Sequence, residues 1–148
     1  MKNKIPPPIL ALLCMYIIYA LDEQFPNFSF IYQEIFALFI AIEAFVIIFF
    51  AVKEFKKFRT TISPLKIDEV NNFVTSGVFR FSRNPMYLGL TSLQVAVGFY
   101  FGNWLMIIVI PLFIFYITFY QIVPEEKVLL ERFGVDFKTY CSNVGRWL

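Results

Sequence analysis

Four stretches of the chain are almost entirely apolar, and polar segments that hold nearly all of the charge separate them. These stretches cover residues 8–21, 29–52, 85–101 and 104–123. The second could reach roughly 36 Å as a helix at ~1.5 Å per residue, enough to cross a bilayer. The pattern predicts an all-α integral membrane helical bundle of about four transmembrane helices, folded as a single domain over residues 1–148.

The first stretch is shorter than the ~20 residues of an ordinary span. A signal peptide is the alternative, because Lys2 and Lys4 precede the apolar core. However, the acidic Asp22-Glu23 that follows makes a poor cleavage site. We therefore favour a short span that the mature protein retains.

Basic residues show which side of the membrane the connecting segments occupy. All 13 lie in residues 1–7, 53–84 and 124–148. The segment around residues 22–23 holds none, and neither do residues 102–103, which we expect to join the last two spans in a tight turn. By the positive-inside rule, both termini are cytoplasmic, as in a multi-pass protein of a bacterial inner membrane. We expect 53–84 to be an interfacial loop whose basic start, residues 53–59, continues the second helix until it ends before Pro64. We expect 124–148 to be a cytoplasmic tail that is helical from Pro124 to Tyr140 and interrupted at Gly134.

Composition agrees with this class. Apolar residues make up 59% of the chain, against about 45–50% in soluble domains. The net charge of +2 does not suggest nucleic-acid binding, and Cys14 and Cys141 form neither a disulfide framework nor a metal site. The chain has no histidine, so it lacks the usual general base at neutral pH and the commonest metal ligand.

The run from Arg83 to Gly89 stands where a basic loop meets an apolar helix. Asn84 and Pro85 suit the cap and first position of that helix. This structural interpretation explains both residues. The same helix start also offers free N–H groups and a partial positive charge, and Arg83 would strengthen such an anion site.

Three further acidic residues are candidates for chemistry. Glu125 and Glu126 follow Pro124, where they could stabilise a helix dipole or accept hydrogen bonds from an ammonium or ribose hydroxyls. Glu43 lies well inside the second span, where an ionised carboxylate must be paired or face a cavity. It is either a catalytic candidate or a structural hydrogen-bond acceptor.

The second half of the chain carries two motifs. The first is Gly77-Val-Phe-Arg80-Phe-Ser-Arg83-Asn84-Pro85-Met-Tyr87-Leu-Gly89. The second begins at Glu125-Glu126, continues through Phe133-Gly134 and ends at Arg146-Trp147. Together they cover about residues 70–148 and resemble the signature of one superfamily, the isoprenylcysteine carboxyl methyltransferases and phospholipid methyltransferases.

The resemblance implies S-adenosylmethionine as cofactor, bound at the cytoplasmic ends of the last membrane helices. Carried over by position, the cofactor-binding residues are Gly77, Arg83, Asn84, Tyr87, Glu125 and Glu126. Glu43, Tyr140 and Arg146 are the candidate catalytic residues. Asn84 departs from the family pattern, which has a histidine there.

The predicted function is methyl transfer to a lipidic or small hydrophobic acceptor within the membrane. We rank a carboxylate or thiol first, because an acceptor that is already a carboxylate or a thiolate needs no base at neutral pH. An amine, as in phosphatidylethanolamine methylation, would lose a proton to Glu43, Glu126 or Tyr140. Two rival functions are an NADPH-dependent enzyme that resembles sterol reductases and a non-catalytic membrane subunit. No metal and no nucleic acid is expected.

Overall fold

A computed structural model describes residues 5–57 and 73–148, and the regular elements in that part of the chain are all helical. This confirms the all-α class. The five main helices are α1 (Pro7–Ala20), α2 (Gln33–Lys57), α3 (Pro85–Phe101), α4 (Met106–Ile117) and α5 (Val123–Asn143). Short 3₁₀ turns lie at Asp22–Gln24 and Gly77–Arg80, and a π-helical segment, Thr118–Ile122, joins α4 to α5.

Two helical stretches of the described chain are long and apolar enough to cross a membrane. They are Gln33–Lys57 and the continuous run Met106–Asn143. Within the most apolar 18 residues of each, only 17% and 28% are buried, so their apolar surfaces remain available to lipid. At 14 and 17 residues, α1 and α3 are shorter than an ordinary span. The four-span arrangement therefore stays a prediction.

The second predicted span begins too early. Residues 29–32 are not helical, and Tyr32 takes a positive φ of 66°, which an α-helix does not allow. The helix starts at Gln33, whose side-chain oxygen accepts the backbone N–H of Phe30 at 3.2 Å. At its other end α2 continues to Lys57, as the basic extension of the apolar run predicts. The expected end near Pro64 lies outside the described residues.

The third predicted span coincides with α3, but the fourth has no break at residue 123. The helix continues from α4 through the π-helical segment into α5. Pro124 lacks an N–H and cannot bond the carbonyl four residues earlier. The wider π turn just before Pro124 accommodates that loss, so the tail helix extends the last apolar helix directly.

Helix α3 is the centre of the bundle, with α2 on one side and α1 and α4 on the other. Three alanines at heptad spacing, Ala37, Ala44 and Ala51, are the buried residues of α2. Gly89 of α3 lies so close to this helix that an added Cβ would sit 3.0 Å from the Ala44 carbonyl oxygen. Small residues on both helices therefore set the α2–α3 distance.

The other side of the bundle has a bulkier core of Ile18, Phe113 and Ile117. Asn103, which is fully buried, ties the α3–α4 turn to α1 by donating to the Ile18 carbonyl at 3.3 Å and to Asp22 at 3.0 Å. Its side-chain oxygen accepts the Leu105 N–H at 2.8 Å. Gly102, in the left-handed region at φ 66°, confirms the tight turn predicted at residues 102–103.

Replacing Gly89 with alanine tests the close packing of α2 and α3. Helix propensity alone would stabilise Gly89→Ala by up to about 1 kcal/mol. The new Cβ would overlap Ile48 Cγ1 at 2.5 Å and press on the Ala44 carbonyl, so we expect a net loss. Overpacking of this kind costs about 1–3 kcal/mol. Thermal unfolding in detergent checks it, with half-buried Ser92→Ala in the same helix as control. A Gly89→Ala protein that is more stable than the parent would contradict the packing argument.

Candidate functional site

Tyr87 and Glu125 meet where α3 begins and α5 begins. The Tyr87 hydroxyl donates to the Glu125 carboxylate, at 3.0 Å from Oε1 and 3.3 Å from Oε2. Gln121, one turn earlier in the π-helical segment, donates to the same Oε1 at 2.6 Å. Pro85 at the first position of α3 orients Tyr87, and Pro124 does the same for Glu125. The two predicted motifs are therefore joined by a direct hydrogen bond.

Glu126 lies between two arginines. Arg146 holds it with both Nε and Nη2, the latter 2.7 Å from Oε2, and Arg83 Nη1 lies 3.3 Å from Oε1. The Glu126 side chain is only 16% exposed, so water screens these pairs weakly. The hydrogen bond to Glu126 raises the pKa of Arg146 above its ordinary value, so this guanidinium keeps its charge.

The last residues of the chain fold back onto the start of α3. The Arg83 N–H donates to the Gly145 carbonyl at 3.0 Å, and the Asn84 side-chain amide donates to the Arg146 carbonyl at 3.0 Å. Trp147 Nε1 donates to Thr118 Oγ1 at 3.2 Å, which fixes the segment to the end of α4 as well. The C-terminal segment therefore closes one wall of the cluster.

Asn84 does not use its side chain as the predicted helix cap. It is the N-cap residue of α3, but its side chain makes no capping hydrogen bond there. The Asn84 side-chain amide donates to the Arg146 carbonyl instead, and the Ser82 hydroxyl accepts the Asn84 backbone N–H at 3.1 Å. Asn84 therefore joins α3 to the tail. This donor role is open to an asparagine as well as to a histidine.

Arg83 brings an unused donor to the cluster. Its Nη1 contacts Glu126 and the Cys141 sulfur, but its Nε is buried and has no partner among the described residues. A buried donor without an acceptor is costly, and a guanidinium suits a carboxylate best. Arg83 is therefore the clearest position for an anionic group of a bound molecule.

Tyr140 ties the tail to the 3₁₀ turn that precedes α3. Its hydroxyl donates to the Phe79 carbonyl at 2.6 Å. Burial raises the pKa of Tyr140, opposed by the nearby Arg83 charge and reinforced by Cys141. A hydroxyl held in its protonated form donates hydrogen bonds at neutral pH but does not accept a proton as a base. The proposed catalytic role of Tyr140 is thus limited to donation and positioning.

Gly77 lies at the edge of this region and contacts a different carboxylate. Its φ is 60°, and an added Cβ would lie 2.9 Å from Glu54 Cδ. The Ser76 hydroxyl donates to Glu54. Glu54, Gln121 and Cys141 were not identified as site residues from the sequence. Gln121 precedes Glu125 by four residues, the one spacing that could have indicated it.

Glu43 stands apart from the cluster. It lies in the middle of α2, is exposed, and has no hydrogen-bond or ion-pair partner in residues 5–57 and 73–148. The cluster thus brings together Arg83, Asn84, Tyr87, Glu125, Glu126 and Arg146, with Tyr140 and Gly77 at its edge and Glu43 outside it.

Comparison with known proteins gives one family and one relative. The model of a family described as phospholipid methyltransferase matches residues 32–136, which include Arg83, Tyr87, Glu125 and Glu126 but end before Tyr140 and Arg146. An uncharacterized protein of Haemophilus influenzae is 36% identical over 63 residues, which is 43% of this chain and all of that protein. No solved structure matches.

Neutralising Glu126 tests whether its two ion pairs hold the tail in place. Glu126→Gln leaves Arg83 and Arg146 without their carboxylate in a weakly screened position. Breaking such a pair costs about 3–5 kcal/mol when fully buried, so we expect a loss of about 2 kcal/mol or more at this partly buried position. Thermal unfolding in detergent measures it. The control Glu131→Gln removes an exposed pair at 4.0 Å and should change stability by less than about 0.5 kcal/mol. Equal effects would contradict the assignment.

Proposed function

The chain belongs to the phospholipid methyltransferase family, and from this premise we propose that it transfers a methyl group from S-adenosylmethionine to a lipidic acceptor in a membrane. The observation that supports this most directly is the meeting of the two sequence motifs. Tyr87 bonds Glu125, and Glu126 pairs with Arg83 and Arg146. Residues distant in sequence thus form one charged cluster at the basic ends of apolar helices.

The side chains of the cluster fit the groups of S-adenosylmethionine. The buried Arg83 Nε offers a donor for a carboxylate, and the Glu125 carboxylate is an acceptor for an ammonium or ribose hydroxyls. Glu126 keeps Arg83 in position, and Asn84 holds the C-terminal segment beside it. When bound, the cofactor supplies an already activated methyl group on its sulfonium.

The protein's contribution is then alignment and exclusion of water. The C-terminal segment is fixed to α3 by Arg83 and to α4 by Trp147, which packs against the apolar core of α1 and α4. Rigid walls of this kind hold reacting groups in a productive geometry. The attraction between Arg83 and Glu126 is weakly screened, because both side chains are largely buried.

Our ranking of the acceptor classes is supported by the state of three possible bases. Tyr140 donates to a carbonyl and stays protonated, and Glu126 is paired with two arginines. The chain has no histidine. A carboxylate or thiolate acceptor reacts without losing a proton to the enzyme, and we rank it first. An amine N-methyltransferase is the alternative.

Cofactor binding tests the proposal first. Calorimetry on the detergent-solubilised protein should show binding of S-adenosylmethionine and none of NADPH. Arg83→Ala and Glu125→Gln each remove a charged contact that contributes about 1.5–3 kcal/mol, so affinity should fall about tenfold or more. Glu131→Gln, far out on the exposed face of α5, is the charge-matched control.

Three outcomes of this titration would count against the proposal. Binding of NADPH alone would favour a reductase, binding of neither would favour a non-catalytic subunit, and unchanged affinity in both variants would place the cofactor elsewhere.

The acceptor class has its own test. The protein is incubated with S-adenosylmethionine carrying a labelled methyl group and with a total lipid extract from bacterial membranes. Methyl esters are hydrolysed by mild alkali and release volatile labelled methanol, whereas N-methyl and S-methyl groups stay in non-volatile products. We expect alkali-labile label or an S-methyl product. Label that appears only on amine headgroups would reverse the ranking.

A further inference from the structure

Helix α2 is the outermost helix of the bundle, and most of its surface is uncovered. Its packing against the rest of the described chain uses the Ala37, Ala44 and Ala51 side. A second line of residues follows the spacing 3-4-3-4 along an exposed side. This line, which we term the Glu43 stripe, consists of Phe36, Phe39, Glu43, Val46 and Phe50.

Glu43 is the exceptional member of the stripe. It is the eleventh of the 25 residues of α2, and it neighbours Ala44, which packs against Gly89 inside the bundle. In a membrane-spanning α2 this carboxyl would lie near the middle of the hydrocarbon layer. An ionised or unpaired carboxyl facing lipid tails is strongly unfavourable, and such groups pair with another polar group. The described residues supply no partner.

A neighbouring stripe on α2 has the composition expected of a surface that contacts only lipid. Ile35, Leu38, Ile42, Phe45 and Phe49 have the same 3-4-3-4 spacing, are all exposed, and are all apolar. Lipid tails cover such a surface without loss. The two stripes differ in polarity by one carboxyl group, that of Glu43. The Glu43 stripe is therefore the one that requires contact with another protein.

We propose that the Glu43 stripe is the contact between two copies of this chain, which pair α2 against α2 around a two-fold axis normal to the membrane. Copies inserted by the same positive-inside signal run parallel, so Glu43 meets Glu43 of the second copy at the same depth. Two carboxyl groups that share protons satisfy each other by hydrogen bonds. A parallel second copy necessarily carries its own Glu43 carboxyl at the same depth in the membrane, so no other partner has to be assumed.

The spacing of the stripe fits this arrangement. Side chains at 3-4-3-4 spacing interlock across two parallel helices, and one polar residue at a central core position fixes register and the number of helices. Glu43 is the middle of five such positions, with two apolar residues on either side. This contact is separate from the charged cluster at the start of α3. It rests on α2 spanning the membrane and not on the proposed methyl transfer.

Disulfide cross-linking in native membranes tests which stripe is in contact. In a Cys14→Ala, Cys141→Ser background, Phe39→Cys places one thiol on the Glu43 stripe, and Phe45→Cys places it on the apolar stripe. The two positions are comparably exposed, at 70% and 61%. We expect oxidation to give covalent dimers from Phe39→Cys and few from Phe45→Cys. Dimers from neither, or equally from both, would overturn the proposal.

Energy transfer between labelled copies in vesicles measures the role of the carboxyl itself. Glu43→Leu removes the hydrogen bonds and should raise the monomer–dimer Kd about tenfold, whereas Glu43→Gln keeps an amide pair and should stay within about threefold. Ile42→Gln, which adds an amide to the other stripe, should leave the Kd unchanged. Methyl-transfer activity is measured in parallel. If Glu43→Leu abolishes activity and leaves association intact, Glu43 serves the acceptor and the proposal is wrong.

Discussion

The pairing of one carboxylate with two arginines organises the end of the molecule where the charged cluster lies. Glu126 connects Arg83, just before α3, to Arg146, close to the end of the chain. Because the carboxylate is largely shielded from water, each pair is stronger than an exposed one. The Arg83 backbone N–H and the Asn84 side-chain amide can then donate to carbonyls of the C-terminal segment. Without Glu126, two guanidinium groups would repel each other in the same small space.

A second constraint explains why this cluster lies in line with apolar helices. The π-helical segment before Pro124 lets the last apolar helix continue into the tail without a break. Glu125 and Glu126 therefore emerge directly above the core of α1 and α4, and Gln121 and Thr118 from the same segment bond Glu125 and Trp147. Helix α3 places the Tyr87 hydroxyl against Glu125, and on its other side small residues let α2 approach closely.

The bundle is also uneven. Helix α3 is covered on two sides, whereas α2 exposes long apolar lines to its surroundings. In water such an apolar surface would cause aggregation, whereas lipid tails solvate it everywhere except at Glu43. The charged cluster lies at one end of the bundle and the Glu43 carboxyl lies halfway along α2. The proposed cofactor binding and the proposed association of two copies therefore use acidic residues in separate places.

The sequence by itself determined the helical class, the full extent of α3, the tight turn at residues 102–103 and the interruption at Gly134, which has a φ of 52°. These features depend on local properties: apolar runs, proline at a helix start and glycine at positive φ. The two motifs also indicated most of the cluster, because their residue types and spacing are characteristic of a family.

Only the tertiary structure decided which side chains meet. No local pattern predicts that the Asn84 side chain donates to the Arg146 carbonyl instead of capping α3, or that Glu54 packs against Gly77. No local pattern predicts either that Arg83 Nε has no partner among the described residues. The true start of α2 at Gln33 and the helix that continues through residue 123 likewise depend on contacts and hydrogen bonds outside the apolar pattern. Which side chains pair across helices depends on how the helices dock. Docking in turn depends on small residues such as Gly89 and Ala44. A small residue in the sequence shows that another helix can approach closely, but it does not show which helix.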